Sequence, residues 1–154
     1  KSTLLNTLIA QLPPMRGDLK LSDQVSFLYF EQDLTWKEPG WTPIQIVSDA
    51  YPHMIIKDIR KQLAQCGISS KHAMQPINTL SGGEQAKVKI CLLTLSPCNF
   101  LILDEPTNHL DFHAKEALKA ALFSFEGTVL LVSHEEAFYQ DWAQRVINIE
   151  KQIG

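Results

Sequence analysis

The sequence predicts an α/β domain whose mostly parallel sheet is flanked by helices on both faces. Three observations carry that prediction. Short continuous apolar runs, such as Phe100-Leu101-Ile102-Leu103, lack the strict alternation of a sheet with one wet face, as expected of strands buried on both sides. These runs alternate with segments of helical periodicity. The 7 glycines and 8 prolines fall largely between the periodic segments. With 154 residues, 45 % apolar and 20 % charged, the chain suits one compact core and lies outside the disordered and collagen-like classes.

The elements follow in order. Leu4, Leu5, Leu8, Ile9 and Leu12 recur at helical spacing until Pro13-Pro14 stops the turn, so the chain opens on a helix. Residues 19–21 and 25–30 are strand candidates. Trp36, Pro39, Gly40, Trp41 and Pro43 mark an irregular stretch, and residues 44–50 and 55–66 read as helices. The segment 33–80 is therefore expected as a helical subdomain within a core of residues 1–32 and 81–154. Beyond it, helices are expected over 84–95, 114–125 and 135–142, and strands over 100–103, 128–132 and 146–149.

The net charge of −3 gives no overall basic field for nucleic acid or an anionic membrane. No apolar run approaches the roughly 20 residues of a membrane span, and no signal-peptide layout opens the chain, so a soluble, cytoplasmic protein is expected. Cys66, Cys91 and Cys98 form neither an even set nor a C-x-x-C pair and read as core thiols in a reducing compartment. The chain begins at Lys1 on a helix-like pattern with no preceding strand, and reads as truncated.

Parallel sheets bind ligands beyond the carboxyl ends of their strands, which is where the polar motifs fall. Phe100–Leu103 runs into Asp104-Glu105-Pro106, two adjacent carboxylates that call for a counter-cation. Magnesium with bound phosphates supplies one, and the second carboxylate is then suited to activating a water beside the γ-phosphate. A solvated acid pair ending a strand is the bland alternative. Leu80-Ser81-Gly82-Gly83-Glu84 precedes a helix, where free amides and the absence of bulky side chains favour phosphate, although a serine N-cap with glycine turn residues has the same pattern. Lys1-Ser2-Thr3 matches the end of the phosphate loop G-x-x-x-x-G-K-[ST], in which the lysine reaches phosphates and a hydroxyl meets magnesium; a polar helix start reads the same. His109 and His113 have zinc-compatible spacing but no further nitrogen or sulfur ligand nearby. Lys57, Arg60 and Lys61 form a small basic helical face of the kind that is usually solvated.

Together, LSGGE, the apolar run into DEPTNHLD, and Val132-Ser133-His134 after the next strand resemble the nucleotide-binding domain of an ABC ATPase. The resemblance implies a P-loop NTPase fold of ABC type that binds ATP with Mg2+ and hydrolyses it. It assigns Lys1, Ser2 and Thr3 to the phosphate loop and Gln32, in the string YFEQ, to magnesium and the attacking water. Asp104 becomes the magnesium-side aspartate, with Ser2 and Gln32 its fellow ligands. Glu105 becomes the catalytic base, Asp111 the D-loop aspartate and His134 the switch histidine. Asp111 can equally be the N-cap of the helix it precedes, and the two roles can coexist.

Thr107-Asn108-His109-Leu110-Asp111 is similar to the ABC-F subgroup, whose members pair two such domains in one soluble chain and act on ribosomes as translation factors or in antibiotic protection. KEALKAAL, GTVLLVSHE and RVINIE look more like the second of those domains. The implied partners are another nucleotide-binding domain and, by resemblance alone, the ribosome with its rRNA or tRNA. The resemblance also implies upstream strands and most of the phosphate loop, none of which is in this sequence, so the chain alone is expected to be weakly stable and inactive in hydrolysis. The rival readings are the ATPase subunit of a membrane transporter and a non-hydrolytic fragment.

Overall fold

The computed structural model describes residues 5–7, 9, 13, 17–30, 35–108 and 110–149. Three strands, β1 (Phe27–Phe30), β2 (Phe100–Asp104) and β3 (Thr128–Val132), form a parallel sheet with β2 in the centre. Phe27 pairs with Phe100 and Phe100 with Thr128, so the three strands run in step to Asp104 opposite Val132. Because side chains alternate, Leu28, Phe30, Leu101, Leu103, Val129 and Leu131 enter the main apolar cluster. Tyr29, Phe100, Ile102, Leu130 and Val132 enter a second one, closed by Leu5 and Ile9. The sheet is thus covered on both sides, which explains its unbroken apolar sequence.

The strands are accompanied by the helices α1 (Pro43–Ala50), α2 (Ile56–Gln65), α3 (Gly82–Leu95), α4 (Phe112–Phe123) and the short α5 (Glu136–Tyr139). Two 3-10 turns, His72–Met74 and Ile77–Thr79, join α2 to α3. α1 starts at a capping box between Thr42 and Gln45, with Pro43 in its first turn, where a missing N–H does no harm. Its Val47 and the Ile59 and Leu63 of α2 are fully buried in the same cluster as Leu101 and Leu103. The Tyr51 hydroxyl donates to the Leu92 carbonyl at 2.9 Å, and Trp36 Nε1 donates to Gln85 Oε1 at 2.8 Å with Lys89 Nζ over its ring. The helices at 43–65 are therefore fastened to α3 and share the apolar cluster beneath the sheet.

Two strand expectations fail. Residues 19–21 and 146–149 carry no strand, and Leu19, Val146 and Ile147 are exposed. A β-favourable composition reflects fit to a half-buried pleated surface, and neither segment lies on one. The expected strand over 25–30 is shortened because Asn99 replaces its first rungs. Asn99 Oδ1 accepts from Ser26 N at 2.9 Å, and its Nδ2 donates to Gln24 O at 2.8 Å. α3 starts two residues earlier than expected, with both glycines in its first turn, and the helix around 136 ends after one turn. Cys66 and Cys91 are buried free thiols and Cys98 is half-buried.

The central strand sets the stability expected of mutants. Leu101→Ala, at a position 1 % exposed, is expected to lower unfolding free energy by about 2–5 kcal/mol. Leu19→Ala, at 39 % exposure, is expected to stay within about 0.5 kcal/mol. Urea titration followed by circular dichroism checks both.

Candidate functional site

The ends of β2 and β3 build one cluster. Asp104 shares the face of β2 that carries Phe100 and Ile102, and the Tyr29 hydroxyl lies 3.4 Å from its Oδ2. Glu105 then turns sharply, with φ of +46, a left-handed conformation that costs a non-glycine residue on the order of 1–3 kcal/mol. The turn is held from both sides. Glu105 N–H donates to Val132 O at 2.8 Å, extending the ladder past the strand, and Glu105 O accepts from Asn108 N at 3.2 Å. This places the carboxylate over the end of β3, where Oε2 accepts from His134 N at 3.2 Å and Oε1 lies 3.2 Å from His134 Nε2. Oε1 is buried yet lacks an aligned hydrogen bond. Glu105, Thr107, Asn108, His134 and Glu135 line an open cleft of about 550 Å³.

The cleft suits a hard divalent cation with phosphate ligands. Asp104 and Glu105 offer adjacent oxygen donors, one carboxylate oxygen is buried without a hydrogen-bond partner, and most of the His134 side chain is exposed. Among the described residues no three His, Cys, Asp or Glu side chains are grouped to hold a metal.

A second cluster surrounds the start of α3. Ser81 is its N-cap in a reciprocal box: Ser81 Oγ accepts from Glu84 N at 3.3 Å, and Glu84 Oε2 accepts from Ser81 N at 2.9 Å and from the hydroxyl at 3.0 Å. His72 Nδ1 meets the other Glu84 oxygen. The Ser81 amide first, then its hydroxyl and the His72 and Lys87 charges, hold the Glu84 carboxyl below the usual range. Asp111 caps α4 by accepting from Ala114 N at 2.7 Å, and its other oxygen lies against Gly83, where a Cβ would meet Oδ2 at 2.2 Å. Gly83 is therefore a glycine because Asp111 occupies its side-chain space.

Glu105 and His134 are thus brought together, Asp104 precedes them at the strand end with its carboxylate by Tyr29, and Gly83 meets Asp111. Ser81, Gly82 and Gly83 do not line the cleft. Lys1, Ser2, Thr3 and Gln32 lie outside the described residues, as does His109. Four residues near the site were not anticipated. Nothing in the apolar string FLYF of β1 marked Tyr29, and Thr107, only 3 % exposed, and Asn108 were read only as part of a motif. Glu135 lines the cleft and is gripped by Lys115 Nζ at 2.7 and 2.9 Å, a pairing that needs tertiary structure.

Two outcomes follow. Gly83→Ala displaces the Asp111 cap and is expected to lose about 1–3 kcal/mol of stability, whereas Gly40→Ala, with open space around its Cα, stays within about 0.5 kcal/mol in the same denaturation assay. A carboxyl held low in the folded state stabilises fully above its unfolded value and loses that contribution as pH falls through the folded value. The melting temperature of the parent chain should therefore fall more steeply below the ordinary glutamate range than that of Glu84→Gln, whose amide keeps the box without titrating.

A sequence model described as ABC transporter matches residues 1–108. An uncharacterized ABC transporter ATP-binding protein of Bacillus subtilis, YfmM, is 43 % identical over 150 residues, covering 97 % of this chain and 29 % of the relative. ATP-binding cassette sub-family F member 3 of Mus musculus is 39 % identical over 139 residues, covering 90 % of this chain and 20 % of that protein. The chain thus spans less than a third of either curated relative. Its fold matches the dimeric, post-hydrolysis structure of the ATP-binding cassette MJ0796 bound to ADP and Pi, with a TM-score of 0.63 and 22 % identity over 89 % of this chain and 71 % of that one. A parallel sheet ending in Asp104-Glu105, a capped LSGGE helix and a histidine at the next strand end agree with that match: the chain belongs to the ABC transporter family of ATP-binding domains.

Proposed function

We propose that this chain binds and hydrolyses ATP as one of two facing nucleotide-binding domains of a cytoplasmic, ribosome-acting ABC-F protein. The observation that carries the reading is the meeting of Glu105, the residue after Asp104, with His134 at the carboxyl ends of β2 and β3, where both line an open cleft. Family membership supports ATP as the ligand. Relatives of the F sub-family and the string TNHLD support the ribosomal role over membrane transport. Among the described residues no helix is long and apolar enough to cross a membrane. In this reading residues 1–32 and 81–154 form the core and 33–80 the helical subdomain.

Asp104, with Ser2 and Gln32, would hold Mg2+ against the phosphates. When bound, the ion neutralises the phosphate oxygens and polarises them for attack. Lys1 and Thr3 cradle phosphate. Glu105 accepts the proton of the water that attacks the γ-phosphorus, and its Oε1, 3.2 Å from His134 Nε2 with no aligned hydrogen bond, is the atom suited to that proton. His134 orients Glu105 through its backbone N–H and offers its largely exposed imidazole to the γ-phosphate. Ser81, Gly82 and Gly83, which leave their own cleft unlined, cover nucleotide held by the facing domain. Asp111 fixes their approach by packing on Gly83.

The test is Glu105→Gln in the two-domain protein. Turnover is expected to fall by about 10²- to 10⁴-fold while ATP is still bound, and the variant should accumulate on ribosomes in sucrose gradients with ATP. Unchanged turnover removes Glu105 as the base. Loss of turnover without nucleotide-dependent ribosome association keeps the ATPase and removes the ribosomal role.

A further inference from the structure

The bridge between Lys115 and Glu135 has no place in the chemistry above, yet it joins the helix that Asp111 caps to the residue that follows His134. Lys115 sits one turn into α4, the helix that Asp111 caps. Its ammonium reaches both oxygens of Glu135, the residue that follows His134 and lines the cleft. Glu135 N–H donates to Ser133 Oγ at 3.0 Å, so His134 lies between two residues tied to each other. On its other side His134 N–H donates to Glu105. Lys115 first, and the buried Thr107 hydroxyl also, hold the Glu135 carboxyl below its usual range.

We propose that Lys115 is a positioning residue for His134, acting through Glu135, and that it also neutralises the carboxylate of Glu135 beside the cleft where the nucleotide phosphates bind. The second half rests on the functional reading above; the first does not. Geometry argues for both. A strand end followed by a single helical turn has few internal hydrogen bonds to fix residue 134, and the bridge supplies an anchor from a long helix. Without Lys115, the Glu135 carboxylate would stand without its counter-cation beside the Glu105 carboxylate in a cleft read as holding an anionic ligand. Stability is a poor explanation for the pair, because both side chains are partly exposed, 29 % and 40 %, and such bridges contribute little to folding. The neighbouring bridge of Lys119 to Asp141, at 2.9 Å, has the same chemistry one turn later and touches nothing in the cleft, which makes it the internal control.

The test uses the 154-residue chain labelled with 15N, with the His134 and Glu135 amide resonances followed in Lys115→Met, Lys115→Arg, Glu135→Gln and Lys119→Met. Lys115→Met is expected to shift both resonances and speed exchange of the His134 amide. Lys115→Arg should restore them, and Lys119→Met should leave them in place, with melting temperatures of all variants close to the parent. Glu135→Gln, which retains the side-chain length, should displace His134 in the same direction. Titration of the two-domain protein and its Lys115→Met variant with Mg·ATP then reads the electrostatic half, with half-saturation rising up to about fivefold in the variant. Unmoved His134 resonances in both Lys115→Met and Glu135→Gln overturn the positioning role, as does an equal shift in Lys119→Met. A two-domain parent that does not bind Mg·ATP counts against nucleotide binding and the electrostatic half, while the amide shifts still decide the positioning half.

Discussion

The hydrogen bond from Glu105 N–H to Val132 O, one rung beyond the regular ladder, holds the site together. It forces the chain leaving β2 into a left-handed turn directly over the end of β3, so that the Glu105 carboxylate and the His134 amide meet although 29 residues separate them. The pairing of Asp104 opposite Val132 brings the two strand ends level, and the burial of Leu101, Ile102 and Leu103 fixes that register. A shift of one residue would exchange the two faces of β2 and carry Asp104 away from Tyr29. The rigidity of an apolar strand is thereby converted into the placement of two acids.

The glycines of LSGGE are explained by two different neighbours. Gly82 and Gly83 enter the first turn of α3, where Ser81 and Glu84 already satisfy each other, and Gly83 has its side-chain space filled by Asp111. Asp111 in turn caps α4. The starts of two long helices are therefore locked by one carboxylate, and α3 and α4 pack along their length from that point. The exposed faces of Ser81 and Gly82 are left toward solvent, away from the cleft of their own chain.

Much of this was legible in the sequence because it rests on local rules. The apolar runs at 100–103 and 128–132, the capping pattern at Ser81 and the acids after Leu103 each announce themselves within a few residues. The strands expected at 19–21 and 146–149 misled for the complementary reason: apolar composition says that a segment is able to pair, not that a neighbouring edge exists for it. The start of β1 was misplaced because the side chain of Asn99, 73 residues away from Ser26, takes the place of backbone rungs. Lys115 and Glu135 could not be read at all, since nothing in a lysine on a helix face foretells the carboxylate of another element. The helices of residues 43–65 were visible from their period, but not that Val47, Ile59 and Leu63 would share one core with the sheet.

Residue 105 is also a point where selection for durability and selection for chemistry pull apart. Its backbone geometry is one that glycine adopts freely and asparagine tolerates. A directed search that rewarded only heat resistance would drift toward those residues and shed the carboxylate. Under the proposed function, the tension in that turn is the cost of placing a carboxylate where the backbone prefers glycine.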